Sequence, residues 1–161
     1  MHRRRMYLDY KYELCAMDGI DGLRADEEDY LNDVHLFLHH PEAFEWIPIM
    51  DGDEEVGFMI MTDMKVMASK GKDPIFGEDY RIEETYVMPE HRNKGLASKV
   101  VKKFFAEHPG KYSMQLMINN LDAADFWFHL IGKKFSGKKV LNAKAQTMDL
   151  MFTIKEGQYE A

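Results

Sequence analysis

Residues Arg81 to Glu107 read Arg-Ile-Glu-Glu-Thr-Tyr-Val-Met-Pro-Glu-His-Arg-Asn-Lys-Gly-Leu-Ala-Ser-Lys-Val-Val-Lys-Lys-Phe-Phe-Ala-Glu. A β-rich run ends at Pro89, which lacks an N–H for a sheet ladder. A short basic turn follows, and then a helix whose residues Leu96, Val100 and Phe104 stack beside Ala97, Val101 and Phe105. A turn that opens a helix gathers free backbone N–H groups at the positive end of the helix dipole, which suits a phosphate or pyrophosphate. Gly95 lets main chain approach a ligand closely, and Ala97 keeps the helix start clear. The run is neither a Walker A loop nor the Gly-x-Gly-x-x-Gly of a dinucleotide fold.

Outward from that core, the pattern predicts alternating elements. Met6–Leu14 reads as a first strand. A helix is expected over about Ala25–His40, acidic in its first turn (Asp26, Glu27, Glu28) and carrying His35, His39 and His40 at its end. Phe44–Met50 and Glu55–Thr62 flank the hairpin turn Asp51-Gly52-Asp53. Lys65–Asp79 reads as a loop, with room for a short strand continuation at its start. Tyr80–Val87 is a strand, Gly95–Glu107 a helix, Tyr112–Ile118 a strand, Leu121–Ile131 a helix and Gln146–Ile154 a cleanly alternating strand. Residues from Lys155 on read as a polar tail. The order implies one α/β domain over 1–161, a mixed sheet covered by helices.

The chain has 161 residues, 45% of them hydrophobic and 30% charged, enough for a core of its own. The net charge of −7 argues against nucleic acid as a partner. No apolar run approaches a membrane span, and no secretory apolar segment follows Arg3, Arg4 and Arg5. The single cysteine, Cys15, excludes a disulfide framework and fits a reducing cytoplasm; its apolar neighbours favour a structural thiol over a nucleophile. His39, His40 and Glu42 lack a second group at metal-site spacing, so no metal is expected. Lys133, Lys134, Lys138, Lys139 and Lys144 form a basic stretch, read as solvated surface that could reach a phosphate.

A strand that stops beside a phosphate turn leaves late N–H and C=O groups to bond an extended amide-containing arm as another strand would. An N–H there can also polarise a carbonyl. Farther on, Asn120 sits where a strand hands over to a helix and is placed to cap it, with Phe126 and Trp127 one turn in. The combination Val87-x-Pro89-x-x-Arg92-x-x-Gly95-x-Ala97, then Asn120-x-x-Ala123-x-x-Phe126-Trp127, resembles the GNAT superfamily of N-acetyltransferases.

The resemblance implies a single-domain GNAT-like fold: a mixed, mostly antiparallel central sheet with helices on both faces. It implies acetyl-CoA as donor and an amine of a small molecule or peptide as acceptor, with direct attack in a ternary complex. Relatives often form homodimers. By analogy Arg92, Asn93, Lys94, Gly95, Leu96, Ala97 and Ser98 hold the pyrophosphate. Tyr86, Val87 and Met88 run along the pantetheine arm, Asn120 bonds it from the facing element, and Phe126 and Trp127 line the far wall. Glu84 and Glu83 are the candidate bases; strand alternation sends them to opposite faces unless a bulge changes the parity. Glu84 is favoured because a Glu three residues before the Val is frequent in related sequences. Many relatives place on the later helix a tyrosine that protonates the leaving thiolate. Trp127 stands there in this chain, which leaves Tyr86, Tyr112 or water for the task. The acceptor pocket is expected from the first helix, the 65–79 loop and the segment before the last strand, with Met59, Met61, Met64 and Met67 as core or adaptable lining. The alternative is the same fold acting as a non-catalytic acyl-CoA-binding regulatory or sensor module.

Overall fold

A computed structural model describes residues 2–17, 27–74, 76–132, 137–144 and 146–159. The elements in chain order are α1 (His2–Met17), α2 (Glu27–His39), β1 (Phe44–Asp51), β2 (Glu54–Asp63), α3 (Met64–Ser69), β3 (Tyr80–Val87), α4 (Leu96–Glu107), β4 (Gly110–Met117), α5 (Leu121–Ile131), β5 (Gly137–Asn142) and β6 (Thr147–Ile154). A single 3-10 turn, Pro89–His91, links β3 to the basic turn.

The six strands form one sheet in the order β1-β2-β3-β4-β6-β5. All neighbours are antiparallel except β3 and β4. That parallel pair is short: Tyr80 faces Tyr112, Arg81 faces Ser113 and Ile82 faces Met114, after which the strands diverge. A parallel pair needs a crossover, and α4 supplies it.

Each face of the sheet has its own core. On one face α1 and α2 bury Met6, Tyr7, Leu8, Tyr30 and Val34 against Phe58, Ile60 and Tyr86. On the other, α4 and α5 bury Val101, Phe104, Phe105, Trp127, Leu130 and Ile131 against Met59, Met61, Ile82, Tyr112, Leu116 and Leu150. Alternation along β2 divides the two sets: Phe58 and Ile60 go one way, Met59 and Met61 the other.

Two expectations are corrected. Met6–Leu14 is not a strand but the middle of α1. Tyr7, Tyr10 and Leu14 recur at three and four residues, so a helix satisfies the same run, and the cover that α2 and the sheet give it decides. The start of the 65–79 loop is the short helix α3, because Asp63 caps it: its Oδ1 accepts from the N–H of Lys65 at 2.9 Å and of Val66 at 3.3 Å. Part of the basic stretch forms β5, paired antiparallel with β6, and Lys139 and Lys144 are exposed, as read from the sequence. Lys133 and Lys134 lie outside the described residues, as do the first residues expected in the second helix. Residues beyond Lys155 double back: the Tyr159 hydroxyl donates to Leu130 O at 2.9 Å, and its ring packs on Phe105.

Candidate active site

Where β3 and β4 part, β3 loses its partner on one side. Met88 N–H donates to Val56 O at 2.8 Å, which fixes the phase of the β2–β3 ladder. Tyr86 and Glu84 therefore exchange bonds with β2, while the N–H and C=O groups of Thr85 and Val87 point toward the divergence. The space there is a cleft of about 800 Å³. Its walls are Thr85, Tyr86 and Val87 from β3, residues His91 to Ser98 from the turn and α4, and Asn120, Phe126 and Trp127 with neighbours from α5. One wall was not foreseen: Tyr10, Glu13, Leu14 and Met17 of α1. Reading α1 as a strand hid their common face.

The turn before α4 is left-handed at two positions. Asn93 (φ 63°) and Gly95 (φ 74°) are left-handed, a concave arrangement that aims N–H groups at one point. The first N–H groups of α4 have no acceptor inside the helix. A Cβ at Gly95 would meet nothing within 4 Å, so the space in front of it is open. The tip of the β1–β2 hairpin steadies the turn: Asp51 Oδ2 lies 2.9 Å from His91 Nδ1 and 2.9 Å from Lys94 Nζ. Those bonds hold the Asp51 carboxyl below its usual range, His91 first and Lys94 second.

Arg92 lines the cleft and is also engaged elsewhere. Its Nε donates to Val87 O at 2.8 Å, and its two terminal nitrogens fork onto Glu13 of α1, each at 2.8 Å. The guanidinium also lies over the Tyr86 ring. Its side chain therefore ties α1 to the end of β3. Met88 packs toward the α1–α2 core and is not among the residues that line the cleft. Asn120 caps α5, its Oδ1 accepting from Ala123 N–H at 3.1 Å. Trp127 is 3% exposed and serves core and cleft together, with Phe126 edge-on to it.

The two glutamates lie on the same face. Ile60 pairs with Glu84 and Met61 with Ile82, so Glu83 is an extra residue, a bulge in β3. Both carboxylates consequently point to the α1–α2 side. Glu83 accepts from Thr62 Oγ1 at 2.6 Å. Burial raises its pKa, and Thr62 only partly offsets this. Glu84 accepts from the Tyr10 hydroxyl through one oxygen and pairs with Lys11 Nζ at 2.9 Å through the other. Neither glutamate is part of the cleft wall.

The model of the acetyltransferase (GNAT) family matches residues 9–130. The chain belongs to the GNAT family. This GNAT protein has the fold of several solved relatives. An acetyltransferase from Thermus thermophilus superposes with a TM-score of 0.64 at 14% identity, covering 93% of this chain and 87% of that one. An N-acetyltransferase from Staphylococcus aureus gives 0.56 at 14%, covering 92% and 94%. A GNAT-family acetyltransferase from Bacillus cereus gives 0.53 at 14%, covering 87% and 90%. Identities this low establish shared fold only. No curated protein matches the chain. The family uses acyl-CoA donors, and the cleft runs from the left-handed turn at Asn93 and Gly95 to the edge of β3 at Thr85 and Val87.

Of the two tyrosines considered for the leaving thiolate, Tyr112 is excluded. Its hydroxyl donates to His108 O at 2.5 Å, deep in the α4 core, and burial raises its pKa far out of range. Tyr86 lines the cleft, but burial raises its pKa as well. Among the described residues no group of three or more His, Cys, Asp or Glu side chains could hold a metal ion. None of the described helices is long and apolar enough to cross a membrane.

Proposed function

We infer that this GNAT family member is an N-acetyltransferase that moves an acetyl group from acetyl-CoA to a primary amine of a small molecule or peptide by direct attack in a ternary complex. The observation that supports this best is the continuity of the cleft. The left-handed turn at Asn93 and Gly95 leads into the edge of β3, where the N–H groups of Thr85 and Val87 point toward the cleft. The pyrophosphate would lie on the N–H groups of the turn. The pantetheine arm would run along Thr85 and Val87, with a main-chain N–H polarising the thioester carbonyl.

The amine must be neutral to attack. A lysine-like amine is neutral in only roughly one molecule in a few thousand at pH 7. A carboxylate near the thioester relieves that limit, and Glu84 and Glu83, both on the α1–α2 side of β3, are the candidates. Glu84→Gln is therefore expected to lower turnover more at neutral pH than at high pH, where free amine is plentiful. A rate–pH profile unchanged by Glu84→Gln removes it as base.

Calorimetry with acetyl-CoA, CoA, ATP and NAD, followed by thiol release with polyamines, amino acids, aminoglycosides and peptides, tests the whole reading. Tight acetyl-CoA binding with thiol release upholds it, and binding of ATP in place of CoA ends it. One observation favours a second reading, an acyl-CoA-binding regulatory module. Trp127 offers no proton to a thiolate, and Glu84 is already bonded on both oxygens. Tight acetyl-CoA binding without thiol release for any acceptor would select that reading.

A further inference from the structure

Tyr10 stands between the carboxylate and the cleft. Its side chain is part of the cleft wall, whereas Glu84 is not. Its hydroxyl donates directly to Glu84 Oε2. The other carboxylate oxygen is held by Lys11 Nζ at 2.9 Å. The Tyr10 ring is fixed by Tyr86 (centroids 5.3 Å apart), Phe58 (5.7 Å) and Tyr7 (6.1 Å), so the hydroxyl has little freedom to leave this position. Facing it are Tyr7, Lys11 and Glu13 from α1 and Glu84 and Tyr86 from β3, with Arg92 over the Tyr86 ring.

We propose that Tyr10 is a catalytic residue, its hydroxyl passing the acceptor's proton to Glu84 and later returning it to the departing sulfur. This rests on the acetyltransferase reading above. The neutral amine nitrogen bonds to the thioester carbonyl carbon and becomes positively charged, while the C=O π pair moves onto the carbonyl oxygen as an oxyanion. The nitrogen gives one proton to the Tyr10 oxygen as the tyrosine's own proton moves to Glu84. The oxyanion then re-forms C=O, and the C–S bond breaks with its electron pair on sulfur. The proton goes back from Glu84 through Tyr10 to that thiolate, leaving an amide, a thiol and the enzyme as it began. Trp127 then needs no acid function. Burial and the Glu84 charge hold the Tyr10 hydroxyl well above its usual pKa, which keeps it protonated and suits a conduit better than a stand-alone acid.

The test uses the full chain, acetyl-CoA and the best amine of the panel, or water as acceptor if no amine responds, because hydrolysis sends its proton the same way. Tyr10→Phe keeps the ring and removes the oxygen. Acetyl-CoA affinity should stay within about threefold, while kcat falls about 100-fold. Wild-type kcat should slow in D2O, with a curved dependence on deuterium fraction that marks more than one proton in flight; in Tyr10→Phe that curvature should vanish. Glu84→Gln should show the same loss, and the double variant should be no slower than the slower single, as expected for two groups acting as one unit. Should Tyr10→Phe fail to fold, the isotope dependence of Glu84→Gln decides alone. Unchanged kcat and curvature in these variants, or losses that multiply, overturn the relay. Wild-type protein that binds and transfers while ignoring Tyr10→Phe loses the relay alone. Failure to bind acetyl-CoA removes the function reading, and the relay with it.

Discussion

At the scale of single residues, Gly95 and Glu83 carry separable consequences. Gly95 is left-handed, so any side chain there adds about 1–2 kcal/mol of backbone strain. The space in front of it is empty of protein, however. Gly95→Ala and Gly95→Trp should therefore fold with similar losses of stability. Acetyl-CoA binding, read by calorimetry, should survive the first and disappear in the second, whose indole fills the cradle. Persistent binding in Gly95→Trp would move the pyrophosphate elsewhere. Glu83 has a folded-state pKa above its usual 4.5 because burial disfavours its charge. The folded form holds that proton more tightly than the unfolded chain does. The benefit is full below the unfolded value and is lost as pH rises through the folded one. Gln cannot ionise, and its amide oxygen still accepts from Thr62. Denaturation at about pH 5 and about pH 8 should then show Glu83→Gln gaining on wild type at the higher pH.

At the scale of elements, two contacts hold the cleft open in its observed shape. The first is β2 against β3. A Cβ at Gly57 would sit 2.3 Å from Tyr86 O, and main chain cannot yield there without moving β3. Gly57→Ala should cost about 1–3 kcal/mol in chemical denaturation, the range for overpacking a tight site. It should also weaken acetyl-CoA binding, because it displaces the strand that carries Thr85 and Val87. The second is the tether from α1. Arg92 and Glu13 are partly exposed, so the pair is worth about 1 kcal/mol at most in global stability. Its local effect should be larger. In Glu13→Gln, hydrogen exchange should quicken along the C-terminal half of α1 and change little in α4 and α5. An unaltered α1 would mean that packing alone seats this helix.

At the scale of the molecule, the cleft exists because two parallel strands begin as neighbours and then part. The sheet stays continuous through Tyr80–Ile82 and Tyr112–Met114, while each face keeps its own core. Twist and crossover open the gap without unfolding anything, and on the proposed function a donor arm would bond the strand edge there. A donor that binds the folded state only should raise the thermal midpoint as its concentration rises, as linkage requires, and acetyl-CoA is the donor to titrate. The amides of Thr85 and Val87, directed into the divergence, should slow most in hydrogen exchange when it binds. Slowing confined to Tyr86 would contradict the ladder phase fixed by Met88 and Val56.

The sequence by itself determined the elements whose signals are local. Pro89 ends β3, Gly95 permits the left-handed turn, Asp51-Gly52-Asp53 makes the hairpin, and the apolar stripes of α4 and α5 set their faces. The left-handed turn into α4 was legible for the same reason, because it is main chain shaped by neighbouring residues. Tertiary structure decided the rest. A run such as Met6–Leu14 satisfies both a two-residue and a three-to-four-residue period, and only the cover from α2, Phe58 and Tyr86 made it helical. The bulge at Glu83 is invisible until β2 is laid beside β3, yet it turned two carboxylates to one side. Arg92, read locally as a phosphate ligand, found Glu13, 79 positions away in the chain. Tyr10 reached Glu84 in the same way. Such pairings are properties of the folded surface, and no spacing along the chain encodes them.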